Sequence, residues 1–293
     1  MSFDSVKSLL KAADRLQQPL WQVILEEDLK ETGMSREASL RQMRRLWEAM
    51  KSASNHYDEK LCSASGLVGG DGAKMDQLVQ RHEVIGGDFL GQVIAQALRM
   101  GECNACMKRI VAAPTAGSCG VLPAVLIPFS QANHVPDDTI LQALYISAGF
   151  GQIIATRASI AGAEGGCQAE VGSASAMAAA SLVFLKGGTP KMSAHACAMA
   201  LKNLMGLVCD PVAGLVEVPC IKRNVVGAVN AISCADMALA GIESRIPPDE
   251  VIDAMRAVGD ALPASLRETG EGGLAATPTG MKIAARLRGE KEE

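Results

Sequence analysis

GSASAMAAASLVFLKGGTPKMSAHACAMALKNLMGL, residues 172–207, reads as two helical segments, about 172–185 and about 193–207. Ala, Met, Leu and Ser dominate both, and apolar residues fall on nearly every side. A helix that is apolar all round belongs inside a larger bundle. A third segment of the same character spans about 137–161, with Gly149 and Gly151 expected to interrupt it. The whole chain shares this bias. Among 293 residues there are 45 Ala and 29 Gly, while aromatics make up only 3%. Small, smooth side chains favour closely packed helices, whereas sheets draw on aromatic and β-branched residues. The fold class is therefore all-α, with a buried Ala- and Gly-rich helical core wrapped by outer helices.

Outward from that core, residues 1–55 read as a peripheral helical layer and 56–293 as the main helical domain. Pro19 can start a helix carrying Trp21, Ile24, Leu25 and Leu29, and Gly33 can stop it. Ser35 is a good N-cap for the next, which presents Leu40, Met43, Leu46, Trp47 and Met50 near a 3.6-residue period. CSASGLVGGDGAK is a Gly-rich loop without the phosphate-cradling GxxxxGK[ST] pattern. A helix over about 84–100 follows. Helices are also expected at about 230–241 and from Pro247-Pro248-Asp249 onward, and the tail RLRGEKEE reads as a solvated charge run.

Several function classes are disfavoured. A net charge of −4 carries no basic footprint for nucleic acid or an acidic membrane surface. The 26 uncharged residues from Ile110 to Val135 contain Pro114, Pro123 and Pro128, so they read as irregular protein interior rather than a membrane span. The N-terminus lacks an uninterrupted apolar signal core, which points to a cytoplasmic protein.

Nine cysteines without an export signal argue against a disulfide framework. Cys62, Cys197 and Cys234 read as small buried hydrophobes. Cys103 and Cys106 form a lone CxxC, with no second pair to complete a zinc site. Cys167, Cys209 and Cys220 differ, because each lies in breaker-rich text: GAEGGCQAE, LVCDPVAGLVE and VPCIKRN. Turns leave backbone amides free to bond thiolate or sulfide, which is what an iron–sulfur site requires. Three ligands on a four-iron cube leave one iron open, an arrangement suited to catalysis.

Four blocks then carry a resemblance: SGLVGGD (65–71), APTAGSCG (113–120), EGGCQAEVGSASAMAAA (164–180) and CDPVAGLVEVPCIKRN (209–224). Together they resemble the α chain of the iron–sulfur-dependent bacterial L-serine dehydratases, over about residues 15–285. The cysteine separations of 42 and 11 are similar to that family's ligand pattern. The resemblance implies conversion of L-serine to pyruvate and ammonia with a 4Fe–4S cluster held by Cys167, Cys209 and Cys220. It also implies that Thr115, Gly117 and Ser118 contact the substrate carboxylate. Single-chain members carry an N-terminal β domain with an SSSHT-type motif that is missing here, so a separate β chain is an expected partner. Some members also end in a cysteine that closes the cluster's free position; this chain ends in Lys-Glu-Glu, so no such cap is expected.

Two rivals stay open: a related iron–sulfur lyase such as an L-cysteine desulfidase, and a non-catalytic protein whose cysteines hold zinc or a structural cluster. A pyridoxal-phosphate lyase finds no matching lysine motif. None of His56, His82, His134 and His195 can be named as the base from sequence. Glu164, Glu170, Asp210 and Glu217 read equally well as caps, ion pairs or ligand-orienting groups.

Overall fold

The computed structural model describes residues 3–290, and among them every regular element is a helix, as expected of an all-α chain. Three outer helices come first: α1 (Val6–Leu16), α2 (Leu20–Thr32) and α3 (Arg36–Asn55). Their ends follow local chemistry. Ser5 and Ser35 accept hydrogen bonds from the Ser8 and Ala38 amides, which no helical carbonyl could reach. Pro19 leads into α2, and Gly33 closes it at φ +67°, where a Cβ would be strained. Leu9, Ile24, Leu25 and Trp47 from these helices are buried in one apolar cluster shared with the centre.

Next comes α4 (Asp71–Gln80), a helix the sequence did not announce. Its start is stabilised from a distance, because the Glu102 carboxylate accepts from the Asp71 and Gly72 amides. Glu102 lies near the end of α5 (Gly87–Ala105), thirty-odd positions along the chain. Of the stretch expected to be irregular interior, only the middle, 117–129, is buried and both ends are partly or fully exposed; 121–132 within it forms α6 (Val121–Ala132). Pro123 sits in its first turn, where an amide would lack a partner anyway. Pro128 forgoes one helical bond within a surround of buried side chains.

The centre is built from α7 (Asp137–Arg157), α9 (Ser173–Leu185), α10 (Pro190–Leu204) and α11 (Cys220–Leu239), with the short turn α8 (Gly162–Gly165) between α7 and α9. Residues 173–183 of α9 are all buried, with α6, α7, α10 and α11 packed around it. Two of its three hydroxyls are satisfied internally, while that of Ser173 has no hydrogen-bond partner among the described residues: Ser181 donates to the Ala143 carbonyl at 2.7 Å and Ser175 to that of Gly227 at 2.7 Å. Gly149 and Gly151 do not interrupt α7. They are contact points instead: a Cβ on Gly149 would stand 2.5 Å from Ile24 Cδ1, and one on Gly151 would stand 2.8 Å from Met177 Sδ. Close approach of neighbouring helices, rather than a bend, explains both glycines.

Two outer helices, α12 (Pro248–Ala261) and α13 (Pro278–Arg288), complete the chain, and the last three residues of the charged tail lie outside the described residues. Asp137–Arg157 and Gln168–Leu185 are long and apolar enough to cross a membrane by length and composition, but 67% and 83% of their apolar windows are buried against the rest of the protein.

Candidate functional site

The four sequence blocks meet at the ends of α5, α9 and α11. Cys167 follows Gly166, which holds φ +75° with its α-carbon wedged against the Leu207 carbonyl and Leu262; a Cβ there would meet both within 2.9 Å. Directly after Cys167, residues Gln168–Gly172 form a turn of π-helix that leads into α9. Such turns re-aim side chains and recur at functional sites. Gln168 anchors the segment, donating to the Met255 carbonyl at 3.0 Å and accepting from the Gly206 amide at 2.8 Å.

Cys209 is fixed by backbone pairing with the segment before α13. Its amide donates to the Leu266 carbonyl at 2.9 Å, and its carbonyl accepts from the Glu268 amide at 2.8 Å. Cys220 opens α11. All three sulfurs are buried; Cys209 feels the charge of Cys167 and Cys220, and Cys220 that of Cys167. Burial pushes the Cys167 thiol up to about 11 and the Cys220 thiol up to about 12, and it raises Cys209 further still. The Arg223 guanidinium opposes the shift at Cys167 and Cys220. Arg223 is itself held by the Val208 carbonyl at 2.7 Å and by Asp210 at 2.8 Å.

These thiols are protonated when nothing positive sits between them. A bound cationic centre would reverse that, since coordination deprotonates thiols. Among the described residues no three His, Cys, Asp or Glu side chains are gathered so as to hold a single metal ion. Buried cysteine sulfurs that lie close enough for Cys209 to feel the other two are the donor type that iron–sulfur clusters take. The donor set thus fits an iron–sulfur cluster.

The TAGSCG loop lies beside the sulfurs. Thr115 Oγ1 is 2.6 Å from Glu170 Oε1 and 3.1 Å from Ser118 Oγ. Asn224 on α11 holds this loop by two bonds, accepting from the Gly120 amide at 2.8 Å and donating to the Gly117 carbonyl at 2.7 Å. Ser118 is fully buried, whereas Thr115 is partly open. Burial raises the Glu170 pKa, with Glu268 adding to the rise and the Thr115 hydroxyl opposing it. The SGLVGGD block is tied in by Lys222, which reaches Asp71 at 2.6 Å, and by Glu217, which accepts from Ser63 at 3.0 Å and from Ser65.

Other candidates lie elsewhere. Cys197 and Cys234 are buried as expected, but Cys62 is exposed, because its loop runs over the surface rather than into the core. Cys103 bonds weakly to the Ala53 carbonyl at 3.7 Å, and burial lifts its thiol to about 11. His195 accepts from the Ser244 amide at 3.2 Å and faces Glu243 at 3.6 Å, while His82 pairs with Asp88. Glu268 and Asn224 were missed in the sequence. Asn224 sits in the CIKRN block, but only folding brings it onto the TAGSCG loop. Glu268 carried no local signal apart from a charged turn.

With this geometry, comparisons with known proteins fall into line. The family described as "Serine dehydratase alpha chain" matches residues 15–275. The chain is 46% identical over 287 residues to the probable L-serine dehydratase, alpha chain, of Bacillus subtilis (strain 168), covering 98% of this chain and 96% of that one. It is 43% identical over 265 residues to the L-serine dehydratase, alpha chain, of Peptoniphilus asaccharolyticus, covering 90% and 91%. It is 44% identical over 191 residues to L-serine dehydratase 2 of Escherichia coli (strain K12), covering 64% of this chain but 41% of that longer protein.

Proposed function

The chain belongs to the serine dehydratase alpha-chain family, and from that premise we propose that it is the α subunit of an iron–sulfur L-serine dehydratase, converting L-serine to pyruvate and ammonia together with a separate β chain. The observation that carries the reading is the grouping of Cys167, Cys209 and Cys220 as three buried thiols beside the TAGSCG loop. The partner is supported by naming and length: relatives spanned almost end to end are called alpha chains, whereas L-serine dehydratase 2 is more than twice the matched length.

The reaction needs help at two points, since hydroxide leaves poorly and the serine Cα–H is weakly acidic. A 4Fe–4S cluster with one iron not bound by the protein would, when present, supply a Lewis acid for the departing β-hydroxyl. Cys167, Cys209 and Cys220 are the residues that would hold it. Arg223 offsets their negative charge and is itself kept in place by Asp210. Thr115, Gly117 and Ser118 form the loop we assign to the substrate carboxylate, with Asn224 fixing its position. The buried setting keeps bulk water from screening these charges. The four histidines are engaged or placed away from this loop, so we assign the base that removes the Cα proton to the partner chain. Loss of water leaves an enamine, which hydrolyses in solution to pyruvate and ammonia.

Anaerobic iron and sulfide analysis of the α chain, joined to a serine-to-pyruvate assay with and without β, tests this reading. The expected result is a brown protein with a 4Fe–4S stoichiometry, little turnover alone and restored turnover with β. A colourless, zinc-containing protein would refute the cluster. Faster sulfide release from L-cysteine than pyruvate formation from L-serine would favour the desulfidase alternative.

A further inference from the structure

Arg223 stands three residues after Cys220, one turn along α11 and on the same side of it. Its side chain is only 14% exposed. A guanidinium is charged at every working pH, so burying it demands partners on several sides. The first two flank Cys209: Nη1 donates to the Val208 carbonyl at 2.7 Å, and Nη2 lies 2.8 Å from Asp210 Oδ1. The third is Cys167, whose sulfur the guanidinium reaches both through its charge and through a hydrogen-bond contact. One side chain, rooted beside Cys220, thus touches the segments that carry the other two cysteines.

The arrangement is also held from outside. Asp210 is buried, and its other oxygen accepts from the Leu274 amide at 2.8 Å. Gly273, at φ +58°, gives that carboxylate room, because a Cβ there would collide with Asp210 Oδ2. Lys222, next to Arg223 in sequence, does none of this; it turns outward, stays mostly exposed and pairs with Asp71. The residue type at 223 follows from the same geometry. A planar fork serves a carbonyl, a carboxylate and a sulfur in fixed directions, whereas an ammonium on a flexible stem is a point charge.

We propose that Arg223 is a positioning residue that joins the three cysteine segments into one site and, once a cluster is bound, raises its reduction potential through the Cys167 sulfur. This rests on the iron–sulfur reading of the three cysteines. Segments far apart in the chain would otherwise have to be ordered as the cluster loads. With Arg223 already bridging them, less of the binding free energy goes into ordering loops. In the loaded site, N–H donors and a positive charge at a ligating sulfur stabilise the reduced, more negative cluster over the oxidised one.

The test uses the full α chain, reconstituted anaerobically, and reads iron per chain and the one-electron midpoint potential rather than turnover. Arg223→Gln removes the charge and the fork, and the potential should fall by about 59 mV, a tenfold loss in the one-electron reduction equilibrium. Arg223→Lys keeps the charge and should fall by less. Gly273→Ala crowds the Asp210 carboxylate and loosens Arg223 with no change of charge, so it should shift the potential in the same direction. Lys186→Gln removes an equal charge at the end of α9 and should leave the potential unchanged. If Arg223→Gln loses the cluster, Arg223→Lys and Gly273→Ala give the reading. A wild-type potential in a fully loaded Arg223→Gln chain would overturn the assignment, as would an equal fall in Lys186→Gln. Loss of helical structure in all three site variants would make Arg223 a fold residue alone and overturn it too. Uptake of zinc and no iron by wild type would instead refute the cluster reading on which the proposal rests.

Discussion

The helical centre and the cysteine loops both use glycine for close approach, but to different kinds of group. In the centre, Gly149 and Gly151 vanish beneath Ile24 and Met177, and their absent side chains are replaced at once by a neighbour's. In the loops, the face of Gly162 is covered as closely, but by two carboxylates and a thiol, those of Glu170, Glu268 and Cys209. The centre is regular, apolar and closed. The loops are irregular, charged and partly open, and each is pinned by bonds from distant segments such as Gln168, Asn224 and Arg223. The contrast shows a division of labour: rigid helices set positions, and non-helical backbone supplies chemistry.

If that division holds, damage to each region should have a different signature. The largest effect is expected at the ligands. Cys167→Ser, Cys209→Ser or Cys220→Ser should each abolish both iron binding and dehydratase activity, because a hydroxyl is a harder and less acidic donor than a thiol. Cys103→Ser should keep iron near wild type. Iron analysis of anaerobically purified variants checks this, and a Cys209→Ser protein with a full cluster would break the assignment.

Substitution in the centre should do the reverse. Gly149→Ala places a methyl 2.5 Å from Ile24 Cδ1, inside a fully buried contact. Overpacking of this kind costs about 1–3 kcal/mol, and the gain in helix propensity of about 1 kcal/mol offsets only part of it. Denaturant unfolding should show a net loss, partly restored by Ile24→Val, with iron per folded chain unaltered. Unchanged stability would mean that the helices can move apart, contrary to a rigid centre.

The smallest expected effect sharpens the comparison through pH. Burial holds the His195 imidazole below its ordinary value, so the unfolded chain binds a proton more readily. Its contribution to stability is present above the unfolded pKa of about 6.5 and is lost as pH falls through the lower folded value. His195→Gln should flatten the stability profile in that window while leaving activity at neutral pH unchanged. A loss of turnover instead would bring His195 into the chemistry.

The residues that announced themselves did so through local effects. Ser35 as a cap, Pro19 and Gly33 as boundaries, and the all-round apolar helices of 172–204 depend on interactions within a few positions, so they were legible in order along the chain. Cysteines in breaker-rich text were legible for the same reason. The α4 helix was not, because its cap is Glu102, and Cys62 was misread because burial of a loop depends on what packs over it.

The sequence by itself determined the all-α class, the small-residue core and three cysteines set apart from the other six. Only the tertiary structure decided which groups face those cysteines. Glu268 meets Cys209 from 59 positions away through a pair of main-chain bonds, and Asn224 meets Gly117 from 107 positions away. Periodicity and capping act over one or two turns of chain, whereas a site assembled from four loops exists only after the helices beneath them have packed.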